Sequence, residues 1–343
     1  MIPDQNNDGI SDLLVQNGGN PTVGPGIWEG RIAGVLLIID PANGQIIAGD
    51  TMPDGMESYM SPLAFKQPGE QELSIIFGSG GETFGGSLFM AKLENLKNGD
   101  LSSAKVLASE EGHGFIAPPV LADINGDHTL DIIAISHASQ AFAIDGKTFR
   151  QLWTQKIPDT ECSNSFAVAD FTGDGVPDFF TFVSKGEWPN NTGLMQILFD
   201  GKDGSIAYEN SLGCIGFSSP VAYDLNNDGR SEAIISINEF DCAKGYSGDI
   251  GEIENKLIAI DFVNGTEYVI DQKKRFKNVF TTPWIGDLDD DGYLDIVHCQ
   301  YFHSTPYISA FLGLEIKRIS THIKMRSTRI WGGYMGTNGD GIY

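Results

Sequence analysis

Asp287-Leu-Asp-Asp-Asp-Gly-Tyr-Leu-Asp295 is the segment of this 343-residue chain that most clearly indicates its fold. Acids stand at its first, third, fifth and ninth positions, and glycine stands at the sixth. Four other nine-residue segments keep the acids at positions one, five and nine: 4–12, 123–131, 170–178 and 224–232. Asp-Gly pairs are common in turns, but turn composition alone does not produce five copies in register. We number the copies loops 1 to 5 in chain order, and such a repeat indicates an array of similar structural units.

The alternating oxygen-bearing side chains of each loop suit a hard divalent cation. Calcium takes six to eight oxygen ligands at about 2.3–2.6 Å, and side chains at positions one, three and five of a tight loop converge on one point. The backbone carbonyl of position seven and the acid of position nine complete the shell, while glycine at position six permits the sharp turn. Oxygen ligands without Cys or His favour calcium over zinc or copper. We therefore predict up to five structural Ca2+ ions, with these ligands: Asp4, Asn6, Asp8, Ile10 and Asp12; Asp123, Asn125, Asp127, Thr129 and Asp131; Asp170, Thr172, Asp174, Val176 and Asp178; Asp224, Asn226, Asp228, Arg230 and Glu232; Asp287, Asp289, Asp291, Tyr293 and Asp295.

Three loops depart from this pattern. His128 stands where loop 2 should have glycine, so we expect strain there. Thr172 replaces a carboxylate or amide in loop 3, and Glu232 replaces Asp at the end of loop 4. Because ligand charge tunes calcium affinity, loop 5, the most acidic, is expected to bind most tightly.

Short apolar runs bounded by Gly, Asn, Asp or Pro predict strands throughout the chain. The clearest lie at 12–15, 34–39, 73–77, 131–135, 196–199, 232–237, 256–260 and 295–297. Long helical patterns are missing, and glycine is abundant at 42 residues. The sequence therefore predicts an all-β protein.

The spacing of the loops predicts a β-propeller of four-stranded blades. Residues 61–65 resemble the strands that precede the later loops, but the segment 66–72 that follows lacks their pattern, so we interpret it as a sixth copy that has lost its acidic loop. Six blades account for the chain as a single domain, with seven as the alternative. Their predicted ranges are 1–56 with 328–343, 57–112, 113–160, 161–213, 214–275 and 276–327. We expect residues 328–335 to complete the first blade by pairing with 12–15, which would close the ring and remove its exposed edges.

These motifs resemble the FG-GAP/VCBS repeat proteins, whose blades form the propeller of integrin α-subunits and of many bacterial surface proteins. In that family the acidic loop joins the two innermost strands of a blade and binds calcium, and the resemblance implies the same for loops 1 to 5. It also implies that ligands bind on the face opposite the calcium loops. Segments 142–148 and 257–265 are similar to quinoprotein-type blades as well.

Long Gly-rich loops at 17–31, 78–86, 185–193 and 239–256 carry aromatic residues in polar surroundings. Rigid aromatic tips on a stiff scaffold are common recognition devices. The alternative is that each aromatic ring folds back as a lid on its own blade. The candidate ligand-binding residues are Trp28, Phe84, Trp188 and Tyr246.

The charge of the chain limits its partners. With 22 Lys+Arg against 46 Asp+Glu, the formal net charge is −24, which disfavours nucleic acid and anionic membrane surfaces. Direct membrane insertion is not expected, because no apolar run approaches the ~20 residues of a span. Residues 1–4 do not resemble a secretion signal. Calcium sites of this kind fill where calcium is millimolar, so we expect an extracellular or cell-surface location.

The four cysteines, Cys162, Cys214, Cys242 and Cys299, show no Cys-x-x-Cys spacing, so zinc and haem attachment are not supported. Cys162 and Cys214 occupy similar positions before consecutive inner strands. Either they form a disulfide or they are buried thiols.

The leading hypothesis is a calcium-stabilised extracellular propeller that binds a cell-surface protein or glycan without catalysis. No nucleophile elbow, phosphate loop or dinucleotide fingerprint is present, and no catalytic residues are predicted. The alternatives are a carbohydrate-active enzyme, a polysaccharide lyase or hydrolase, on the same scaffold, and an architectural domain of a surface layer or filament within a larger assembly.

Overall fold

The computed structural model describes residues 1–245, 250–305, 307–308, 310–326 and 329–343. Nearly all regular structure in these ranges is antiparallel β-sheet. The described helices are α1 (Leu93–Lys97) and a 3-10 turn at Cys242–Lys244. Neither has the length or the apolar character needed to cross a lipid bilayer.

The chain divides into two compact units, the first of which comprises residues 1–119 and 127–151. Its first sheet has three strands, in the order β1 (Leu13–Asn17), β2 (Val35–Ile39) and β3 (Ile46–Thr51). Its second is a four-stranded meander of β4 (Leu63–Phe65), β5 (Ser74–Gly78), β6 (Gly86–Lys92) and β7 (Lys105–Glu110). The unit also contains the hairpin of β9 (Asp131–Ile135) and β10 (Gln140–Ile144).

The second unit comprises residues 120–126 and 152–343. It begins with β8 (Val120–Ala122), and β11 (Gln151–Lys156) lies at the later boundary. A five-stranded sheet contains β12 (Thr160–Glu161), β13 (Ala167–Ala169), β14 (Asp178–Lys185), β15 (Leu194–Phe199) and β16 (Ile206–Asn210). A four-stranded sheet follows, with β17 (Val221–Tyr223), β18 (Glu232–Glu239), β19 (Glu254–Asp261) and β20 (Thr266–Lys274). The last contains β21 (Phe276–Lys277), β22 (Trp284–Gly286), β23 (Tyr293–Phe302) and β24 (Leu312–Lys324).

Burial changes systematically across these sheets. Middle strands such as β14 and β18 are buried along most of their length, whereas the last strands β16 and β20 are mostly exposed. Aromatic rings fill the core of the five-stranded sheet, where Trp153 stacks on Phe199 with ring centroids 6.4 Å apart. The Trp153 indole N–H donates to the carbonyl of Gly201 at 2.8 Å, so its one polar atom is satisfied. Each predicted strand overlaps an observed one.

The predicted fold class, all-β with four-stranded sheets of the propeller type, is confirmed. The first sheet departs from it with three strands, and the sheet that contains β14 has five. The blade count and the blade boundaries stay predictions.

The predicted partner of the C-terminal segment is wrong. Trp331 bridges to Ala222, and the two residues exchange backbone hydrogen bonds of 3.0 and 3.1 Å. The bridge to Asp12 comes instead from Ile2. The physical reason is the burial of Trp331. Its indole is buried and holds the C-terminal segment against the edge of β17, an inner strand of only three residues. Of the predicted range, Thr328 lies outside the described residues.

The suggested disulfide between Cys162 and Cys214 is also wrong, because Cys214 is bonded to Cys242. The Cys162 thiol is buried and faces the carbonyl of Asn164 in its own sheet at 3.4 Å. Equivalent positions in successive sheets therefore did not bring these two sulfur atoms together. Cys242 lies in the turn that follows β18, a position that the repeat spacing does not reveal.

Removing the disulfide should destabilise the second unit. The two cysteines are 28 residues apart, and closing a loop of that length stabilises a fold by about 3.5 kcal/mol in the chain-entropy description. We expect a variant with both Cys214→Ser and Cys242→Ser to lose about that much free energy of unfolding in urea titrations. Cys162→Ser is the comparison for thiol loss alone. Equal stability of the double variant and the unaltered protein would contradict the expectation.

Candidate metal centres

The five acidic loops share one hydrogen-bond frame, which begins at the first acid. In loops 1, 3, 4 and 5, one oxygen of this carboxylate accepts the backbone N–H of residue six at 2.7–3.0 Å. In loop 2, Asp123 accepts from the N–H of Gly126 at 2.7 Å. The donor and acceptor pairs of the four similar loops are Gly9 to Asp4, Gly175 to Asp170, Gly229 to Asp224 and Gly292 to Asp287.

The acid at position five repeats even more closely. In all five loops its Oδ1 accepts the backbone N–H of residue seven at 2.8–2.9 Å. This bond fixes the residue at position seven, whose backbone carbonyl is one of the predicted ligands. The pairs are Ile10 to Asp8, Thr129 to Asp127, Val176 to Asp174, Arg230 to Asp228 and Tyr293 to Asp291.

The acid at position nine joins each loop to its sheet. All five of these carboxyl side chains are buried: Asp12, Asp131, Asp178, Glu232 and Asp295. Those of loops 2, 3 and 4 are the first residues of β9, β14 and β18. In loops 1, 4 and 5 this carboxylate accepts the backbone N–H of position two at 2.6–3.1 Å, and in loop 3 it accepts that of Thr172 at 2.8 Å. The following strand therefore carries the acid that closes the loop.

Two residues of each loop adopt the left-handed backbone conformation. At position six these are four glycines and His128, whose φ of 65° confirms the expected strain in loop 2. The second left-handed residue is at position four and was not anticipated: Asn7, Gly126, Gly173, Asn227 and Asp290. Asn, Asp and Gly tolerate this conformation best, so the composition of position four could have revealed it.

Several acidic groups of these loops could hold a metal ion. In loop 4, Asp228 and Glu232 lie with Asp261 so that one ligand oxygen of each is within 4.8 Å of the others. Asp287, Asp289 and Asp295 of loop 5 meet the same condition. In loop 1, the buried Oδ1 of Asp12 has no hydrogen-bond partner among the described residues. A cation would satisfy such an oxygen, so the donor set of loop 1 fits a hard metal ion.

Asp261 and Asp40 are candidate ligands that the sequence interpretation missed. Asp261 ends β19, and Asp40 follows β2; both are buried. The side-chain amide of Asn6 in loop 1 donates to Asp40 at 3.2 Å. The missed signal is a second repeat, Asp-x-x-(Asn/Asp)-Gly, at the ends of β2, β15 and β19: residues 40–44, 200–204 and 261–265.

Crowding and burial perturb two of the position-nine acids. Burial raises the pKa of Asp178 to about 6. Burial, followed by the charges of Asp224 and Asp261, raises the pKa of Glu232 to about 7. Without a counter-charge these carboxylates are expensive to ionise, and a bound cation would reverse that effect.

In loop 5 an arginine donates bidentate hydrogen bonds to the acid at position nine. The guanidinium of Arg318, on β24, donates to both carboxylate oxygens of Asp295 at 2.9 and 2.8 Å. It also forms an ion pair with Asp289 at 2.5 Å. The hydrogen bonds from Arg318 hold the pKa of Asp295 below its usual range.

The structure brings together two of the four candidate aromatic residues. Trp28 and Phe84 lie with ring centroids 5.3 Å apart in the first unit, and Trp28 is 59% exposed. Trp188, in the second unit, is half-buried against Phe217. Tyr246 lies outside the described residues.

An FG-GAP-like repeat matches residues 123–181, which contain loops 2 and 3. The chain is similar to a europium-containing methanol dehydrogenase at 11% identity and a TM-score of 0.49, over 89% of this chain and 63% of that one. For the rhamnogalacturonan lyase YesW the identity is 12% and the TM-score 0.42, over 84% and 58%. For BamB from Moraxella catarrhalis they are 12% and 0.34, over 93% and 96%. The chain thus spans less than two thirds of the first two proteins. It carries an FG-GAP-like repeat within a repeat fold of the β-propeller type.

Proposed function

We propose that this chain is a calcium-stabilised, extracellular binding module that recognises a glycan through a surface aromatic platform and catalyses no reaction. The observation that carries the proposal is the contact between the rings of Trp28 and Phe84. The buried ion pair of Arg31 and Glu57 lies beneath these rings. The platform comprises Trp28, Phe84 and the underlying Arg31 and Glu57. Flat aromatic faces suit the apolar faces of sugar rings, as they suit other flat ligand surfaces.

Charged groups hold the platform rigid from beneath. Arg31 forms an ion pair with Glu57, and both side chains are almost fully buried. The guanidinium lies 4.5 Å from the centre of the Phe84 ring and also donates to the carbonyl of Gly24 at 2.9 Å. The backbone N–H of Gly26 bonds Thr83 Oγ1 at 3.0 Å, which joins the two loops that supply the aromatic rings. A platform that is ordered before binding loses little conformational entropy on contact with its ligand.

The platform favours surface recognition over catalysis. The cavity between Trp28, Ile32, Met56 and Phe84 is about 30 Å3, room for roughly one water molecule. Ligand-enclosing sites are usually about 300–1,000 Å3. A sugar would therefore lie across the exposed indole rather than enter a pocket.

The acidic loops support a structural role for calcium in this proposal. Their carboxylates are bound into the loop frame by backbone N–H groups, so they are poorly placed for acid–base chemistry. The Cys214–Cys242 disulfide is consistent with an oxidising, extracellular compartment.

Truncating the exposed indole should abolish most ligand binding. A central tryptophan typically contributes about 2 kcal/mol or more to an interface, equivalent to roughly 30-fold in affinity. We expect Trp28→Ala to weaken binding of the best glycan from an array by at least that factor in calorimetry, whereas Ile46→Ala, an equally exposed apolar truncation in the same unit, should not. Equal affinity of Trp28→Ala and the unaltered protein would exclude the platform. Turnover of a polysaccharide panel would instead favour the enzyme, and no binding at all would favour the architectural role.

A further inference from the structure

We propose that the guanidinium of Arg318 takes the place of a metal ion in loop 5. This loop, the most acidic of the five, therefore does not bind calcium. The proposal depends on the proposed function only in that the other loops serve for comparison. It reverses the expectation that loop 5 would bind the ion most tightly.

The guanidinium uses the oxygens that calcium would need. Both oxygens of Asp295 accept from Arg318 in a bidentate arrangement, and Oδ2 also accepts the N–H of Leu288 at 3.1 Å. Asp289, the predicted position-three ligand, faces the same guanidinium. Two of the three acids that meet in loop 5 are therefore already paired with a positive charge.

Calcium could enter loop 5 only by displacing this side chain. A calcium ion would bind these oxygens at about 2.3–2.6 Å, and a guanidinium on the same oxygens would repel it at short range. Bidentate arginine–carboxylate pairs are also among the strongest charged hydrogen bonds in proteins, because the planar donors match the two oxygens.

Loop 4 provides the matched comparison, because in both sheets the extra side chain comes from the strand that pairs with the strand following the loop, β19 beside β18 and β24 beside β23. In loop 4 this side chain is Asp261, at the end of β19, which adds a negative charge beside Asp228 and Glu232. In loop 5 it is Arg318, on β24, which adds a positive one. Arg326 also lies near loop 4, but its side chain is half-exposed. Among the ion pairs of the described residues, its one contact with this loop is to Asp224, at 3.8 Å.

Counting bound calcium in single-site variants tests the proposal. Native mass spectrometry and calorimetry would be applied to the whole chain carrying Asp289→Asn or Asp228→Asn, in calcium and with magnesium as the competing ion. We expect Asp228→Asn to bind one calcium fewer than the unaltered protein, and Asp289→Asn to bind the same number. Loss of one ion from Asp289→Asn would overturn the proposal.

A second variant covers the case in which Asp289→Asn fails to fold. Arg318→Gln removes the positive charge but keeps a polar side chain, and we expect it to bind one calcium more than the unaltered protein. An unchanged count in folded Arg318→Gln would overturn the proposal. If the unaltered protein bound no calcium, the proposed calcium stabilisation would fail separately, and a single ion gained by Arg318→Gln would still support the role of the arginine.

Discussion

Chelation of calcium is expected to lower the melting temperature of this protein by on the order of 20 °C. A ligand present at 100 times its dissociation constant stabilises the folded state by about 2.7 kcal/mol per independent site, or about 11 kcal/mol for four loops. Each kcal/mol shifts the melting temperature of a chain this large by roughly 2 °C. Loop 5 is not expected to contribute, because Arg318 already neutralises its acids.

The physical reason is the concentration of buried carboxylates that the ions would compensate. The folded-state pKa of Asp178 rises from 3.8 to about 6, and that of Glu232 rises from 4.5 to about 7, in both cases chiefly through burial. At pH values between the unfolded-state pKa and the folded-state pKa of these groups, the carboxylates ionise in the unfolded chain but stay protonated in the metal-free fold. The stability of the metal-free fold therefore falls as pH rises through this range. Calcium binds the ionised carboxylates. Chelation should therefore lower the melting temperature more at pH 8 than at pH 5.5.

Circular dichroism melts in millimolar calcium and in excess EDTA measure this difference. Magnesium at the same concentration is the control for ionic strength, because it binds flexible multi-carboxylate loops less well than calcium does. Identical melting temperatures in calcium and EDTA at pH 8 would contradict the expectation and the proposed role of the loops.

The sequence predicted the features that depend on local spacing. The acids at positions one, five and nine fold back on their own loops, so nine residues contain the whole pattern that places Asp4, Asp8 and Asp12. The strain at His128 follows from one position of the same pattern. Strand positions were equally accessible, because each run is bounded by its own turn residues.

Features that depend on distant segments were not predicted. Asp261 and Arg318 reach loops 4 and 5 from β19 and β24, the strands that pair with those following the loops, and their opposite charges are invisible in the loop sequences. Cys242 and Trp331 found partners by close packing against segments that the repeat spacing did not relate to them. The spacing of a repeat identifies equivalent positions in successive units. The directions of the side chains decide which of these residues are in contact.

Replacing Asp178 by alanine should be among the most damaging single substitutions in the chain. Its fully buried carboxylate accepts the N–H of Thr172 at 2.8 Å and that of Gly201 at 3.0 Å. Leaving a buried donor without an acceptor costs about 1–3 kcal/mol, and the calcium site of loop 3 would be lost as well. We expect Asp178→Ala to lower the free energy of unfolding in calcium by about 5 kcal/mol, measured by urea titration.

Two further variants separate the contributions to that loss. Asp203→Ala removes an exposed acid from the turn that follows Gly201 and should leave stability nearly unchanged, because its hydrogen bonds among the described residues are local ones to the neighbouring Ser205. Asp178→Asn keeps one acceptor oxygen but removes the charge that calcium requires, so its stability in calcium should lie between those of Asp178→Ala and Asp203→Ala. In EDTA it should lie between Asp178→Ala and the unaltered protein, because the amide NH2 cannot accept the second backbone N–H. If Asp178→Asn and Asp178→Ala were equally destabilised in EDTA, the two backbone hydrogen bonds would not be what Asp178 contributes to the metal-free fold. If both variants matched the unaltered protein in calcium, the acid at position nine would not be the link between loop 3 and β14.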